Sequence, residues 1–347
     1  MSKLSDIALS ILDLAPVSTG KTAADAFRNT LTLAQNAEHW GYNRYWLAEH
    51  HNLPGIASSA TSVLVGFVAG GTKRIRVGSG GIMLPNHAPL MIAEQFGTLE
   101  SLYPGRIDLG LGRAPGTDSA TSYAIRRGLA ADGHDFPELL AELQRYLGPP
   151  DEDMRVRAFP GNGLNIPIWL LGSSTFSARL AAELGLPFAF ASHFAPDELD
   201  NALKIYRGKF QSSEHLSKPY VMVGVPVIAA DTDALAGKLA TTTYQKFLGL
   251  VRREPVQGKP PVDNMDALWN AYERAAVLSR MAVAAIGGPE TVERRLESLL
   301  ERTDADELMV VSDFYDFQDR LNSYEILSNL WHNAQKATSN SLTARLR

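Results

Sequence analysis

Cysteine is missing from this sequence, and its absence excludes several kinds of chemistry at once. Disulfide bonds, thiolate nucleophiles, cysteine-ligated zinc and iron–sulfur clusters all depend on cysteine side chains. Disulfides persist in oxidising compartments, so a chain without them fits a reducing one. We therefore expect a cytoplasmic protein.

Long apolar runs and basic stripes are missing as well. A membrane-spanning helix needs about 18 consecutive apolar residues, and no such run free of charge occurs here. The first residues are interrupted by Asp6 and Asp13 and lack the pattern of a signal peptide. The formal net charge is −5 and no run of lysine or arginine appears, so we expect neither a membrane nor a nucleic-acid partner.

The chain alternates short apolar runs with longer segments of helical periodicity. This alternation predicts an α/β protein with parallel strands covered by helices, and eight repeats favour a closed (β/α)8 TIM barrel over an open sheet. Such barrels often reach this length as one domain, so we expect a single domain over residues 1–347. The predicted strands are 7–14, 44–48, 75–79, 107–111, 168–171, 188–191, 220–229 and 307–311, and the predicted helices are 22–40, 58–70, 89–102, 136–147, 174–184, 196–211, 291–302 and 317–337.

Two stretches interrupt the alternation and predict insertions in the βα loops. Residues 113–135 contain no clear element, and residues 249–265 are rich in proline, glycine and charge. Long loops in a barrel are usually functional or irregular. The second stretch is either a lid over the site or a surface insertion.

The chemically distinctive residues follow the predicted strands. They are Glu49-His50-His51, Gly80-Gly81, Gly112-Arg113, Gly172-Ser173-Ser174 and Ser192-His193. In a barrel these positions converge on the rim at the carboxyl ends of the strands, where active sites lie. The sequence therefore predicts one site on that rim.

Several of these groups have two interpretations each. Ser173, Ser174 and Ser177 begin a helix and suit a phosphate, although a serine there is also an ordinary N-cap. Arg113 is either a phosphate ligand or an exposed loop residue. Gly80-Gly81 permits a close backbone approach or forms a plain turn.

The histidines also leave alternatives open. Glu49-His50-His51 suits acid–base chemistry near neutral pH, a structural hydrogen-bonded pair, or part of a metal site. The usual paired metal spacings are absent, so we expect no metal. His87 and His193 are more typical of structural roles.

Six segments together resemble the bacterial luciferase-like monooxygenase family, and they span nearly the whole chain. They are YWLAEHHN at 45–52, IRVGSGGIMLPNHAPLMIAEQFGTLESLYPGRIDLGLGRAPG at 75–116, IPIWLLGSS at 166–174 with AAELGLPFAFASHF at 181–194, and IGGPETV at 286–292 with DADELMVV at 304–311. The likeness is to single-chain bacterial members rather than to the light-emitting subunits.

The resemblance implies an FMN-dependent monooxygenase that acts on paired donors with O2. A separate reductase would supply reduced FMN as co-substrate, and the organic substrate would be small and hydrophobic. His50 would be the catalytic histidine with Glu49 beside the flavin ring, and Gly80-Gly81 would form a cis peptide beneath it. Phosphate would bind at Arg113, Ser173, Ser174 and Ser177, and Gly112 would stand where the luciferase subunit has a cysteine.

Some positions depart from the family pattern, and light emission is not implied. Ser177 replaces a threonine of the phosphate site, and a second phosphate arginine has only Arg126 and Arg127 as candidates. Three other functions stay open: a deazaflavin (F420)-dependent oxidoreductase of the same superfamily, a flavin-binding protein without catalysis, and a metal-dependent hydrolase.

The sequence also carries expectations about assembly and substrate. The segment 58–70 is small and apolar nearly all round, and such a helix must be covered on all sides, so we expect a homodimer that buries it. Met83, Phe194 and the 249–265 segment are candidates for apolar walls around the substrate.

Overall fold

Eight parallel strands form a closed ring in the computed structural model, which describes residues 3–114, 118–126, 133–150, 154–254 and 257–345. The ring order is β1-β2-β3-β4-β5-β6-β7-β9, and β9 closes it by pairing with β1. The predicted (β/α)8 barrel is confirmed. The strands are β1 (Ala8–Asp13), β2 (Arg44–Leu47), β3 (Arg76–Met83), β4 (Ile107–Gly112), β5 (Ile168–Gly172), β6 (Phe188–Phe190), β7 (Val221–Ala229), β8 (Ala285–Gly287) and β9 (Glu307–Val311).

Strand β8 lies outside the ring and was not predicted. It pairs in parallel with the last three residues of β7, Val227–Ala229, after that strand has left β9. The nine-residue length of β7 allows both pairings. All eight predicted strands correspond to strands of the ring.

The helices cover the outside of the ring. They are α1 (Ala23–Trp40), α2 (Thr61–Gly71), α3 (Pro89–Leu102), α4 (Ser119–Arg126), α5 (Phe136–Leu147), α6 (Thr175–Leu184), α7 (Leu199–Lys209), α8 (Asp233–Arg252), α9 (Ala271–Arg280), α10 (Pro289–Thr303) and α11 (Phe317–Arg345). Each predicted helix is present, with its ends shifted by at most three residues, except that α11 continues eight residues beyond its predicted end. Among the described residues, no helix has the length and apolar character needed to cross a membrane.

Helix α1 shows how the sequence sets an element boundary. The Thr22 hydroxyl accepts a hydrogen bond from the Asp25 amide, and the Asp25 carboxylate accepts one from the Thr22 amide. This reciprocal capping box satisfies two amides that the helix leaves without partners. At the other end Gly41 adopts the left-handed conformation, φ +86°, that closes the helix.

Three helices fall where the sequence predicted none. Helix α4 lies in the 113–135 stretch, of which residues 115–117 and 127–132 fall outside the described part of the chain. Helices α8 and α9 are inserted between β7 and β8 and pack against each other. The 249–265 stretch therefore begins inside α8, which ends at Arg252.

Past α8, residues 255 and 256 fall outside the described part of the chain, and residues 257–264 form an irregular segment. Gly258 bridges to Ser18 in the loop after β1, and the carbonyl oxygens of Lys259 and Pro260 accept hydrogen bonds from α8 side chains. These contacts hold the segment against α8 and the β1 loop.

A layer of charged side chains fills the amino-terminal end of the barrel. Arg44 donates to Glu307 at 3.0 Å and to Asp108 at 2.8 Å, and Arg76 also donates to Asp108. Tyr220 donates to the second oxygen of Glu307. Buried charges are tolerated when each is paired in this way.

A layer of large apolar side chains lies above the charged one. The Trp46 indole donates to Asp108 at 3.0 Å, and the Arg44 guanidinium stacks 4.7 Å from the centre of the Trp169 ring. The two indole rings meet edge to face, 5.2 Å apart. These contacts tie the middle layer to the charged layer, and the space above it remains open towards the carboxyl ends of the strands.

Candidate active site

The barrel opens at the carboxyl ends of its strands into a cavity of about 760 Å³. This volume lies within the range of small-molecule and cofactor sites. Most of the strand-following residues predicted to share one rim line this cavity, namely His50, Gly80, Gly81, Gly112, Arg113, Gly172, Ser173, Ser174 and His193, and so does the predicted Ser177. The predicted rim residues Glu49, His51 and Ser192 are not part of its lining.

One corner of the cavity has the composition of an anion site. Arg113 follows β4, and Ser173 and Ser174 connect β5 to α6. Ser174 is the N-cap of α6 in extended conformation, and its side chain makes no capping hydrogen bond. The Arg113 guanidinium lies over the Phe176 ring, 4.3 Å from its centre, which orients it beside the start of α6.

The hydrogen-bond donors of this corner are of the kinds that bind a phosphate group. A helix N-terminus offers uncapped amides and a positive dipole end, and arginine and serine add charged and neutral donors. Ser177, in the first turn of α6, packs against the end of β5 so closely that a Cβ on Gly172 would lie 2.7 Å from its Oγ. A side chain at position 172 would therefore displace Ser177.

Backbone rather than side chains forms the cavity surface at β3. The peptide bond between Gly80 and Gly81 is cis, as the resemblance implied, and β3 changes register against β4 between Ser79 and Ile82. A Cβ on Gly81 would lie 2.7 Å from the carbonyl oxygen of Gly110. Glycine is required here because the two backbones approach so closely, and a flat ligand gains room above them.

His50 and Glu49 take different places. His50 is half-buried and lines the cavity. Glu49 is 1% exposed and is not among the residues that line the cavity, so it lies behind the cavity wall. From there, Glu49 positions the residues that it hydrogen-bonds.

Glu49 joins three groups through its two oxygens. His51 Nε2 and His87 Nε2 each lie 2.9 Å from Oε1, and the Met83 amide donates to Oε2 at 3.1 Å. Burial opposes the charged carboxylate, but hydrogen bonds from His51 and His87 outweigh it and lower the pKa of Glu49 to about 2. The carboxylate is therefore ionised at neutral pH and fixes the β3 end beside the cavity.

His193, which follows β6, is a neutral base on the cavity wall. Burial, with a smaller contribution from His50, lowers the pKa of His193 to about 4. Its Nδ1 atom is buried and has no hydrogen-bond partner among the described residues. A Cβ on Gly224 would collide with that atom, so glycine in β7 makes room for the ring.

The predicted apolar walls are also in place. Met83, Phe194 and Leu250 line the cavity, and Leu250 belongs to the stretch 249–265. Sequence reasoning missed two charged residues of the same cavity, Lys246 of α8 and Asp313 after β9. Asp313 follows a strand at its carboxyl end, so the rule that identified the other rim residues applies to it as well.

Two further predictions concern metal and a second arginine. Within the described residues, no group of three or more His, Asp or Glu side chains is arranged to hold a metal ion. Arg127 and the side chain of Arg126 lie outside the described part of the structure.

Comparison with known proteins gives a match over most of the chain. Residues 7–307 match the family model for luciferase-like monooxygenases. The chain is 58% identical to the uncharacterized protein YvbT of Bacillus subtilis (94% of this chain, 98% of the relative) and 53% identical to a luciferase-like monooxygenase of Escherichia coli K12 (92% and 96%). It is also 34% identical to an N-acetyl-S-alkylcysteine monooxygenase of Bacillus subtilis (93% and 98%).

Solved structures share the fold. The structure of apo-MsnO8 superposes with a TM-score of 0.83 at 33% identity, covering 94% of this chain and 98% of that one. The oxygenating constituent of 3,6-diketocamphane monooxygenase from Pseudomonas putida, in complex with FMN, gives a TM-score of 0.69 at 21% identity, with 94% and 97% covered. An F420-dependent secondary alcohol dehydrogenase gives a TM-score of 0.64 at 15% identity, with 94% and 99% covered.

The Glu49 network predicts a pH-dependent stability. We expect Glu49→Gln to lower the free energy of unfolding by about 2–3 kcal/mol at pH 7, because the uncharged amide loses its charge-assisted bonds. The folded-state pKa of Glu49 lies below the ordinary value of 4.5, so its contribution is complete above pH 4.5 and is lost as the pH falls toward 2. Urea unfolding at several pH values measures the difference.

The matched control is Glu183→Gln, on the exposed side of α6. It should change the free energy of unfolding by less than about 0.5 kcal/mol at every pH. A Glu49→Gln effect that stays constant between pH 7 and the acid limit would show that the charge of Glu49 contributes nothing.

Proposed function

Since this chain belongs to the luciferase-like monooxygenase family, we propose that it oxygenates a small, mainly apolar organic molecule with O2 and reduced FMN. The observation that carries the proposal is the single cavity in which Arg113 and Ser174 lie at one corner while His50 and the Gly80–Gly81 backbone form another part of the wall. A separate reductase would supply the reduced flavin, and the cysteine-free composition suits a cytoplasmic location.

The anion corner would hold the FMN phosphate. Arg113 offers a planar pair of donors, and Ser173, Ser174 and Ser177 add hydroxyls at the start of α6. Fixing the phosphate there would direct the ring system along the rim toward β3, where the glycine backbone leaves room for a flat group. The chain thus binds and orients the cofactor.

Bound FMN would supply the redox chemistry with O2, while the protein's residues control protons and exclude water. His50 is the titratable group that we place next to the reacting atoms, as an acid or base at its imidazole nitrogen. Glu49 acts on it only indirectly, by fixing His51 and the end of β3 around it.

The apolar walls suit the body of an organic substrate. Met83, Phe194, Phe247 and Leu250 line the same cavity. One relative is named for N-acetyl-S-alkylcysteines, which combine an apolar alkyl group with a polar head. We take such compounds as the first substrates to test.

We propose a homodimer formed through α2. Val63 of this helix is 68% exposed and Phe67 is 44% exposed, and Met91 of the neighbouring α3 is 51% exposed. Large apolar side chains grouped on one surface are typical of a protein interface. A second copy of the chain would cover them.

The phosphate corner predicts a selective loss of FMN affinity. We expect Arg113→Met to weaken binding of reduced FMN by about 10- to 100-fold, because a charge-assisted contact is lost. Binding of reduced riboflavin, which lacks the phosphate, should change by less than about threefold. Anaerobic fluorescence titration measures both.

Arg179→Met, on the exposed side of α6, is the control and should leave both affinities unchanged. A parallel titration with reduced F420 separates the deazaflavin alternative. Tighter binding of F420 than of FMN would overturn the choice of cofactor.

His50 predicts a loss of turnover without a loss of cofactor binding. We expect His50→Ala to lower kcat by about 100-fold or more, which is the usual scale of acid–base catalysis, with reduced FMN bound as before. The assay follows O2-dependent oxygenation of an N-acetyl-S-alkylcysteine with a flavin reductase and NADH. His215→Ala, at an exposed position, is the control. Undiminished turnover in His50→Ala would remove this residue from the mechanism.

The α2 surface predicts the assembly state. Phe67→Glu should convert a dimer into a monomer at micromolar concentration, because it places a charge inside the apolar contact. Light scattering after size exclusion gives the mass. Tyr272→Glu, at a 78% exposed position on α9, should remain dimeric. A monomeric wild-type protein would rule out this interface.

A further inference from the structure

Helix α8 presents one face to the cavity, and that face includes a cation. Thr243, Lys246, Phe247 and Leu250 all line the cavity, at the i, i+3, i+4, i+7 spacing of one helical face. Three of these side chains suit a largely apolar wall. Lys246 is the exception, and the proposed flavin site does not use it.

Lys246 is held in place by an ion pair with Asp313. The Lys246 Nζ bonds to Asp313 Oδ2, and the two side chains are 14% and 20% exposed. The Thr243 hydroxyl donates to the Asp313 carbonyl oxygen at 3.1 Å, which fixes the loop after β9 against α8. The ammonium therefore has a defined position on the cavity wall.

The ammonium keeps donors for a ligand. A lysine ammonium has three N–H donors, and within the described chain Asp313 is its only hydrogen-bond partner. A partly desolvated charge on an apolar wall binds an anion more strongly than an exposed charge does, because the local dielectric is lower. Asp313 already neutralises this ammonium, so a ligand carboxylate would share the ammonium's donors with Asp313.

The position of the pair separates it from the phosphate corner. Arg113 follows β4 and Asp313 follows β9, and these strands are four places apart in either direction around the eight-strand ring. The two charged groups therefore stand on opposite sides of the cavity mouth. A ligand that reaches Lys246 enters the half of the cavity left by a flavin anchored at Arg113.

We propose that Lys246 binds a carboxylate of the organic substrate and that Asp313 is the positioning residue that holds the ammonium. The inference rests on the proposed function and narrows it: the substrate is a small carboxylic acid with an apolar body. With the carboxylate at Lys246, that body extends along Phe247 and Leu250 into the cavity.

Matched acids and amides test this proposal. The probes are N-acetyl-S-benzylcysteine, 3-phenylpropanoate and octanoate, each with its primary amide, titrated calorimetrically into the full chain saturated with FMN. For at least one pair we expect the acid to bind wild type about tenfold more tightly than the amide, the scale of one charge-assisted hydrogen bond. In Lys246→Met the two should bind within about twofold of each other, with the amide affinity retained.

Two variants serve as comparisons. Lys238→Met is on the same helix and breaks a similar Lys–Asp pair, with Asp263, but its side chain is 50% exposed outside the cavity, so the acid preference should persist. Asp313→Asn keeps an oxygen that accepts a hydrogen bond from the ammonium but removes the negative charge that competes for it, so acid binding should strengthen severalfold. If the Lys246–Asp313 pair had a purely structural role, the preference for the acid over its amide would stay the same in both Asp313→Asn and Lys246→Met.

The results separate this inference from the proposed function. Wild type that binds none of the acids more tightly than its amide, or Lys246→Met that keeps the preference, overturns the inference even if FMN-dependent oxygenation occurs. A chain that binds no FMN contradicts the proposed function, and the same titrations without flavin then still measure the preference for an acid.

Discussion

The charged layer at the amino-terminal end of the barrel is the constraint on which the site depends. Arg44 bridges Asp108 and Glu307, so a single guanidinium connects β2, β4 and β9 across the interior. Each buried charge there has a partner, and removal of one would leave the others uncompensated. Asp108 accepts a hydrogen bond from Trp46, and Arg44 stacks on Trp169. The ion pairs therefore also fix the two indole rings that form the floor of the cavity.

The positions of the rim residues follow from the parallel barrel. Every strand of the ring ends at the same mouth, so residues far apart in sequence, such as His50 and Ser174, line one cavity. The architecture accounts for their convergence without any contact between them. Where a strand carries glycine, the backbone itself forms the cavity surface. At Gly81 a side chain would collide with the neighbouring strand, so glycine is needed there.

Much of the fold could be predicted because hydrophobic patterns carry it. The eight ring strands were readable as apolar runs, and helices such as Phe136–Leu147 as segments of helical periodicity. Helix α8 was not readable, because Thr241, Thr242 and Thr243 interrupt its apolar pattern and their hydroxyls bond to carbonyl groups nearby. Helix α9 has little apolar signal, since Val277 is its one buried residue in the structure as described. Lys246 was missed as well, since it lies in α8, where the sequence analysis predicted no element. The burial of Glu49 behind the wall depends on His51 and His87, and only their three-dimensional arrangement shows it.

The paired indoles have a consequence for observing the protein. Trp46 lines the cavity and meets Trp169 edge to face at 5.2 Å, so two intrinsic fluorophores are built into the floor beneath any bound ligand. A molecule with near-ultraviolet absorption bound above them would accept their excitation energy. The barrel therefore carries an internal optical reporter of its own occupancy, without a label and away from the residues that bind or react.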